Sequence, residues 1–394
     1  MSNSIVLENN SRYHTTERTQ EKRILFVLNA DWFFLTNRLK LAITARENGY
    51  EVIVAAPDTG MAKEIRRHGF AFMALPRSTK GFSANPFREL KVLFSLIKLY
   101  REFKPSVIHH STPKIVIYGS LASRFVPDAS VINLISGLGY NFSDRMKARV
   151  LRPFTKLLYA IALHRPKSCL VFQNSYDRRF FIKNKFVEEE NTELIPGSGV
   201  NCKVFVPTNV ESEEPVVMIP ARLLWGKGVG EFVMAARLIR ERNPKVRFVL
   251  VGKPDPGNPS SIPEPMINSW IKDGCVEWWG HQSCMPDVLA SATIVVLPSY
   301  TEGLPKVLVE ASATGKPIVA TDIPGCRDVV RHKVNGLLVP PKDPYALAKA
   351  IWELLDSPEK RRKYGAAGRR MAVEMFDENI IAKEFTAVLK KFVA

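Results

Sequence analysis

The feature that most constrains this chain is an alternation of short apolar runs with longer stretches of helical spacing. Ile24–Leu28 (ILFVL), Glu51–Ala56 (EVIVAA), Phe70–Leu75, Val107–His109, Val131–Ile135 and Leu170–Phe172 are strand candidates, and helical stretches lie between them, notably 87–103, 113–125 and 144–164. Runs this short and this apolar suit strands covered on both faces, and strands alternating with helices imply βαβ units and a parallel sheet. Residues 201–215 (NCKVFVPTNVESEEP) break the pattern with prolines and acids and read as a linker. The alternation then restarts, with strands at 216–220, 246–251, 293–297 and 317–320, helices at 229–242 and 305–314, a Pro/Gly-rich loop at 253–265, and a helical C-terminus from about 343.

Two doubly wound, Rossmann-like α/β domains facing a central cleft account for this order. A length of 394 residues fits roughly two or three domains. The expected organisation is a flexible tail at 1–22, a first domain at 23–205, a second at 206–375, and a C-terminal helix at 376–394 packing back on the first. With 46% hydrophobic and 24% charged residues the composition is that of an ordinary soluble globular protein, and disorder is excluded for most of the chain. It lacks the run of about 18 apolar residues that a membrane span needs, and its first 22 residues lack the apolar core of a signal peptide. The five cysteines are scattered and never spaced C-x-x-C, which argues against a zinc site or disulfide framework and for a reducing, cytoplasmic setting.

The net charge is +17, and it is unevenly placed. Residues 1–205 hold 31 Lys/Arg against 17 Asp/Glu; residues 206–394 hold 25 against 22. A basic first half suits nucleic acid, an anionic lipid surface or a phosphorylated substrate. No helix-turn-helix, RRM or zinc-finger signal supports the first of these.

Two segments carry candidate chemistry. In Val217–Ala236 (VMIPARLLWGKGVGEFVMAA) a strand runs into a loop with Arg222, Lys227 and glycines at 226, 228 and 230, followed by a helix. Close backbone amides, a helix N-terminus and two cations make a place for a diphosphate, unless the loop is merely a solvated basic turn. In Ser299–Thr314 (SYTEGLPKVLVEASAT) a strand ends at a loop carrying Glu302, and Gly303, Leu304 and Pro305 open a helix containing Glu310. Glu302 would stand at the strand's C-terminal edge, among sugar hydroxyls or a developing cation, or be a solvated loop acid. Glu310 would accept both hydroxyls of a ribose, or be an ordinary helix-face charge. His109 and His110 close a strand at a sheet edge facing the cleft, where they meet an acceptor phosphate or pack as hydrogen-bonded core histidines. His281, after VEWWG, lines a nucleobase pocket or, as the stronger reading, is an ordinary histidine with no part in binding.

RLLWGKG, EGLPKVLVEASATGKPIVATDIPGCRDVV and NGLLVPPKD together resemble glycosyltransferase family 4, the retaining enzymes of GT-B fold, over roughly residues 23–375. In the first half VLNADWFFLTNR, HHSTPKIVIYGSLASR, ISGLGYNF, FQNSYDRRFF and IPGSGVN resemble the subset that builds capsule, O-antigen and related glycans on a lipid carrier. The resemblance implies that Arg222 and Lys227 neutralise the departing nucleotide diphosphate, that Glu302 with the Gly303–Leu304–Pro305 segment holds donor sugar and phosphate, and that Glu310 binds ribose. It sets Ala30 and Asp31 where many relatives place glycines against the phosphate, although both are bulkier here. Gly137 belongs to the acceptor side; some relatives have a histidine in that loop, where this chain reads Ser136–Gly137–Leu138–Gly139.

The implied activity is transfer of a sugar from a nucleotide diphosphate, a UDP-sugar, to a lipid-linked saccharide, with no cofactor. No D-x-D occurs, so no metal is expected and fixed cations would stabilise the leaving group. Residues 87–104 and 144–167 mix Lys/Arg with Phe, Leu and Tyr at helical spacing and are either ordinary surface helices with apolar core faces or suited to the headgroup region of an anionic membrane; the second reading sets the protein peripherally on the inner face of the cell membrane. A sugar-nucleotide epimerase of similar fold is the competing reading, and a basic nucleic-acid binder the other.

Overall fold

The structure, a computed structural model, describes residues 22–76, 86–137, 146–208 and 214–393. Residues 1–21, the loop positions Leu138 and Gly139, Asp144 and Arg145 of the second basic stretch, and residues 209–213 of the linker lie outside the described residues.

Two parallel sheets form. The first orders its seven strands β3-β2-β1-β4-β5-β6-β7: β1 Arg23–Val27, β2 Glu51–Ala56, β3 Ala71–Ala74, β4 Val107–Ser111, β5 Ser130–Ile135, β6 Ser168–Phe172 and β7 Thr192–Leu194. The second orders six as β10-β9-β8-β11-β12-β13: β8 Val216–Pro220, β9 Arg247–Val251, β10 Glu277–Gly280, β11 Ile294–Leu297, β12 Ile318–Thr321 and β13 Gly336–Val339. The apolar runs are buried because helices cover both faces; every residue of β8 and of β11 is buried. In each sheet the strand order reverses once, between β1 and β4 and between β8 and β11. A crevice opens at such a reversal, outside the carboxyl ends of the strands.

The helix Glu378–Phe392 leaves the second half and joins the first sheet's core. Its Ile381, Phe385 and Leu389 are packed in one cluster with Ile24, Phe26 and Val54. Ser130 Oγ also donates to the Phe392 carbonyl at 2.9 Å. The chain therefore crosses between the halves twice, and the crossings are joined: Val200 N donates to Phe376 O at 2.9 Å, and Glu378 N to Val200 O at 3.0 Å.

Candidate active site

The two reversals face each other across a cavity of about 280 Å³. Phe33, Asn37, Arg38, Ser136, Gln173, Ser198 and Gly199 line it from the first half, and Arg222, Glu302, Gly303, Leu304, Lys306 and Val309 from the second.

On the second wall the two loops read from sequence come together. Lys227 Nζ donates to Glu302 Oε1 at 2.5 Å, with the carboxylate nearly buried. Arg222 Nη1 donates to Asp255 Oδ2 at 3.0 Å. Asp255, in the Pro/Gly-rich loop, gave no signal in the sequence beyond that loop's composition. The Arg222 side chain is 60% exposed, so this pair holds it only weakly and leaves it available to a ligand. The helix Lys306–Ala313 starts at the cavity, with Pro305 extended at φ −74° and ψ 105° as its cap rather than inside its first turn. Gly303 is pressed against the other half: a Cβ there would fall 1.7 Å from Ser136 O. Gly137, at φ +142°, faces it from the same loop. Asn174 Nδ2 donates to Gly303 O at 2.9 Å, a further tie across the boundary.

Glu310 lies one turn behind the wall, with its side chain 12% exposed and 3.9 Å from Lys306 Nζ. Burial raises its pKa to about 7, against the opposing pull of Lys306. Burial likewise lowers the pKa of Lys306, with Glu310 resisting and Arg38 adding to the fall. Lys306 also donates to Thr36 O of the first half.

Three expectations need correction. His109 and His110 do not face the cleft; both are fully buried. His110 is held between Tyr100 Oη and Asn133 Oδ1, each at 2.8 Å. His109 packs edge-on between Phe26 and Phe385. Burial keeps both pKa values low, His110 at about 4, so they are neutral core groups, unable to bind an acceptor phosphate directly. Asp31 is also turned inward. It accepts from Trp32 N at 2.7 Å, Thr59 N at 2.7 Å, Met61 N at 2.9 Å and the Thr59 hydroxyl. Burial pushes its pKa up, but these bonds outweigh that and hold it below the ordinary value. Asp31 thus secures the loop after β2, and its neighbour Ala30, 8% exposed, precedes the helix Asp31–Asn37; neither is part of the cavity lining. His281 is exposed and away from the lining.

Sequence reading missed Asn37, Arg38, Gln173, Ser198 and Lys306. All five fall inside motifs quoted above, so the segments were marked although the individual side chains were not. Among the described residues no three His, Cys, Asp or Glu side chains gather as a metal-binding set. No described helix is long and apolar enough to cross a membrane.

Comparison with known proteins agrees with this architecture. The profile described as "Glycosyl transferases group 1" matches residues 203–371, and that described as "Glycosyl transferase 4-like" matches residues 23–174. The chain is 30% identical over 377 residues to the N,N'-diacetylbacillosaminyl-diphospho-undecaprenol alpha-1,3-N-acetylgalactosaminyltransferase of Campylobacter jejuni subsp. jejuni serotype O:2, covering 92% of this chain and 97% of that protein. It is 24% identical over 282 residues to the UDP-Gal:alpha-D-GlcNAc-diphosphoundecaprenol alpha-1,3-galactosyltransferase of Escherichia coli, covering 68% and 71%. Among solved structures it is similar to Anabaena Alr3699/HepE in complex with UDP, at a TM-score of 0.74 and 19% identity over 94% of this chain and 100% of that one. That likeness shows the two-domain GT-B fold.

Proposed function

The chain belongs to the group 1 glycosyl transferases, and on that premise we propose that it moves a sugar from a UDP-sugar to a polyprenyl-diphosphate-linked saccharide, retaining the anomeric configuration without a metal. The observation that carries the proposal is the meeting of Arg222, the Lys227–Glu302 pair and the start of the helix Lys306–Ala313 at one cavity, where two parallel sheets face each other. The names of the Campylobacter and Escherichia relatives both specify an undecaprenol-diphosphate-linked acceptor, and the second specifies UDP-Gal.

In this reading the donor diphosphate takes the place of carboxylates as partner of Arg222 and Lys227. Its arrival breaks the Lys227–Glu302 contact and frees Glu302 for the donor sugar's hydroxyls. The backbone N–H groups of Gly303, Leu304 and Lys306 are donors for the same anion; Pro305 has none to give. Glu310, behind Lys306, takes the ribose hydroxyls. The sugar C1–oxygen bond breaks with its electron pair leaving on the diphosphate. The acceptor hydroxyl oxygen then bonds C1 from that same face and gives its proton to the departing phosphate oxygen. Retention in hydrolases, through a covalent intermediate, uses two carboxylates about 5 Å apart around the bond. Glu310 is placed behind the wall, which favours the front-side route. Fixed cations supply the stabilisation at the leaving group.

The first half also offers a lipid-facing surface. Phe87, Leu90 and Phe94 are exposed along the helix Pro86–Phe103, and Phe154, Leu157 and Ile161 along the helix Met146–Leu163. Both helices pack on the helix Pro113–Ala122 that lies between them. With Lys91 and Lys98 on the helix Pro86–Phe103, this face suits an anionic inner leaflet, each basic residue adding about 1 kcal/mol near the surface.

The test is transfer of labelled sugar from UDP-, GDP- and ADP-sugars into butanol-extractable polyprenyl diphosphate saccharides, with thermal stabilisation by each nucleotide measured in parallel. Label in lipid from a UDP-sugar, with stabilisation by UDP, supports the reading. Release of an epimerised nucleotide sugar with none of the label in lipid would overturn it.

A further inference from the structure

Arg38 follows the helix Asp31–Asn37 and ends at the first-half wall of the cavity. It is 2% exposed, among the largest fully buried side chains of the described residues. Nε donates to Ser111 Oγ at 3.2 Å, Nη1 donates to Asn37 O at 2.6 Å, and the guanidinium lies 5.4 Å from the centre of the Phe33 ring. Nη2, with two N–H donors, has no acceptor. No carboxylate among the described residues forms an ion pair with it. Its neighbours cannot supply the missing charge. Ser111 is a hydroxyl, His109 at 3.4 Å from Ser111 Oγ is neutral, and Lys306 across the cavity repels it. Burial lowers the Arg38 pKa to about 9, which still leaves it charged at neutral pH.

A guanidinium out of water with unsatisfied donors is costly, and it persists where a counter-ion completes it. The donor diphosphate is already provided for on the opposite wall by Arg222, Lys227 and the Gly303 loop. We propose that Arg38, on the first-half wall with Lys306 opposite, is the binding residue for a phosphate of the lipid-diphosphate acceptor. The planar fork then receives two phosphate oxygens, fixing the register of the saccharide relative to the donor sugar. Ser111, with His109 behind it, holds the fork from the core side. The inference rests on the acceptor class proposed above.

The test compares wild type with Arg38→Met and Arg38→Lys on two acceptors carrying the same saccharide, one on a polyprenyl diphosphate and one on a neutral aryl group. Arg38→Met should keep or raise the unliganded melting temperature, because similar-sized apolar replacement of an unpaired buried charge is tolerated. It should raise KM for the diphosphate acceptor about tenfold to hundredfold, the scale of a lost charge-assisted hydrogen bond. KM for the aryl acceptor and the dissociation constant of UDP should stay within about twofold. Arg38→Lys, which keeps the charge but not the fork, should recover part of the loss and serves if the methionine variant does not fold.

An unchanged acceptor KM in both variants overturns the assignment, as does a loss of UDP affinity with acceptor KM intact, which would give Arg38 to the donor. A wild type that binds UDP but transfers to neither acceptor refutes the acceptor class instead.

Discussion

Lys227 Nζ sits 2.5 Å from Glu302 Oε1, joining two loops 75 residues apart in sequence. Each side chain is the other's partner, and in the proposed reading the donor diphosphate takes Glu302's place at Lys227. Lys227→Ala should therefore have two separable effects: transfer falls at least a hundredfold, and the buried Glu302 carboxylate, left unpaired, costs about 1–3 kcal/mol of stability. The double variant Lys227→Ala/Glu302→Gln should recover the stability in urea denaturation without recovering turnover. Recovery of both would show the pair to be only structural.

Glu310 supplies a pH dependence. Its folded pKa, about 7, lies above the ordinary 4.5, so the folded state holds the extra proton between those values. Stability from this group is full below about pH 4.5 and falls as pH rises toward about 7, by up to about 3 kcal/mol. Glu310→Gln should flatten the difference in urea midpoint between pH 5 and pH 8. Equal slopes in wild type and variant would place the titrating group elsewhere.

Asp31 has the opposite sign. Its pKa is held below 3.8, so the stability it gives is present above that value and is lost as pH falls through the folded one. Asp31→Ala leaves the Thr59 and Met61 amides unpaired and should cost about 1–3 kcal/mol. Because Asp31 faces away from the cavity, UDP affinity measured by calorimetry should change less than twofold.

Gly303 touches Ser136 so closely that no side chain fits between the two halves. Gly303→Ala, with its Cβ 1.7 Å from Ser136 O, should hold the halves apart. Small-angle scattering in saturating UDP should give a larger radius of gyration than wild type, and transfer should fall at least a hundredfold. Matching scattering curves and rates would show that this contact does not govern closure.

The central strands were legible in the sequence because burial on both faces requires uninterrupted apolar runs, and Val216–Pro220 was read to the residue. β7, β10 and β13 were not read as strands. All three are short edge strands, and β10 (EWWG) has every residue only half-buried, so its pattern resembles a loop. The cationic loop and the two glutamates were legible because glycine, charge and strand ends coincide there. His109 and His110 misled for a physical reason: a polar residue at a strand end suggests a site, whereas here Tyr100 and Asn133 hold His110 inside the core and the Phe26 and Phe385 rings enclose His109. Arg38 was invisible as a site residue, because the absence of a counter-ion is a property of space rather than of sequence order. Asp255 was missed for the same reason, its importance lying in its distance from Arg222.

The two crossings laced together at Val200, Phe376 and Glu378 restrict how the protein can move. The cavity of about 280 Å³ is bounded by both halves, so its width depends on how they are held together. Two backbones joined side by side act as a spine: they let the halves swing about one line and resist sliding past each other. Arg38 and Arg222, which line the cavity from opposite halves, are thereby held in one register across it.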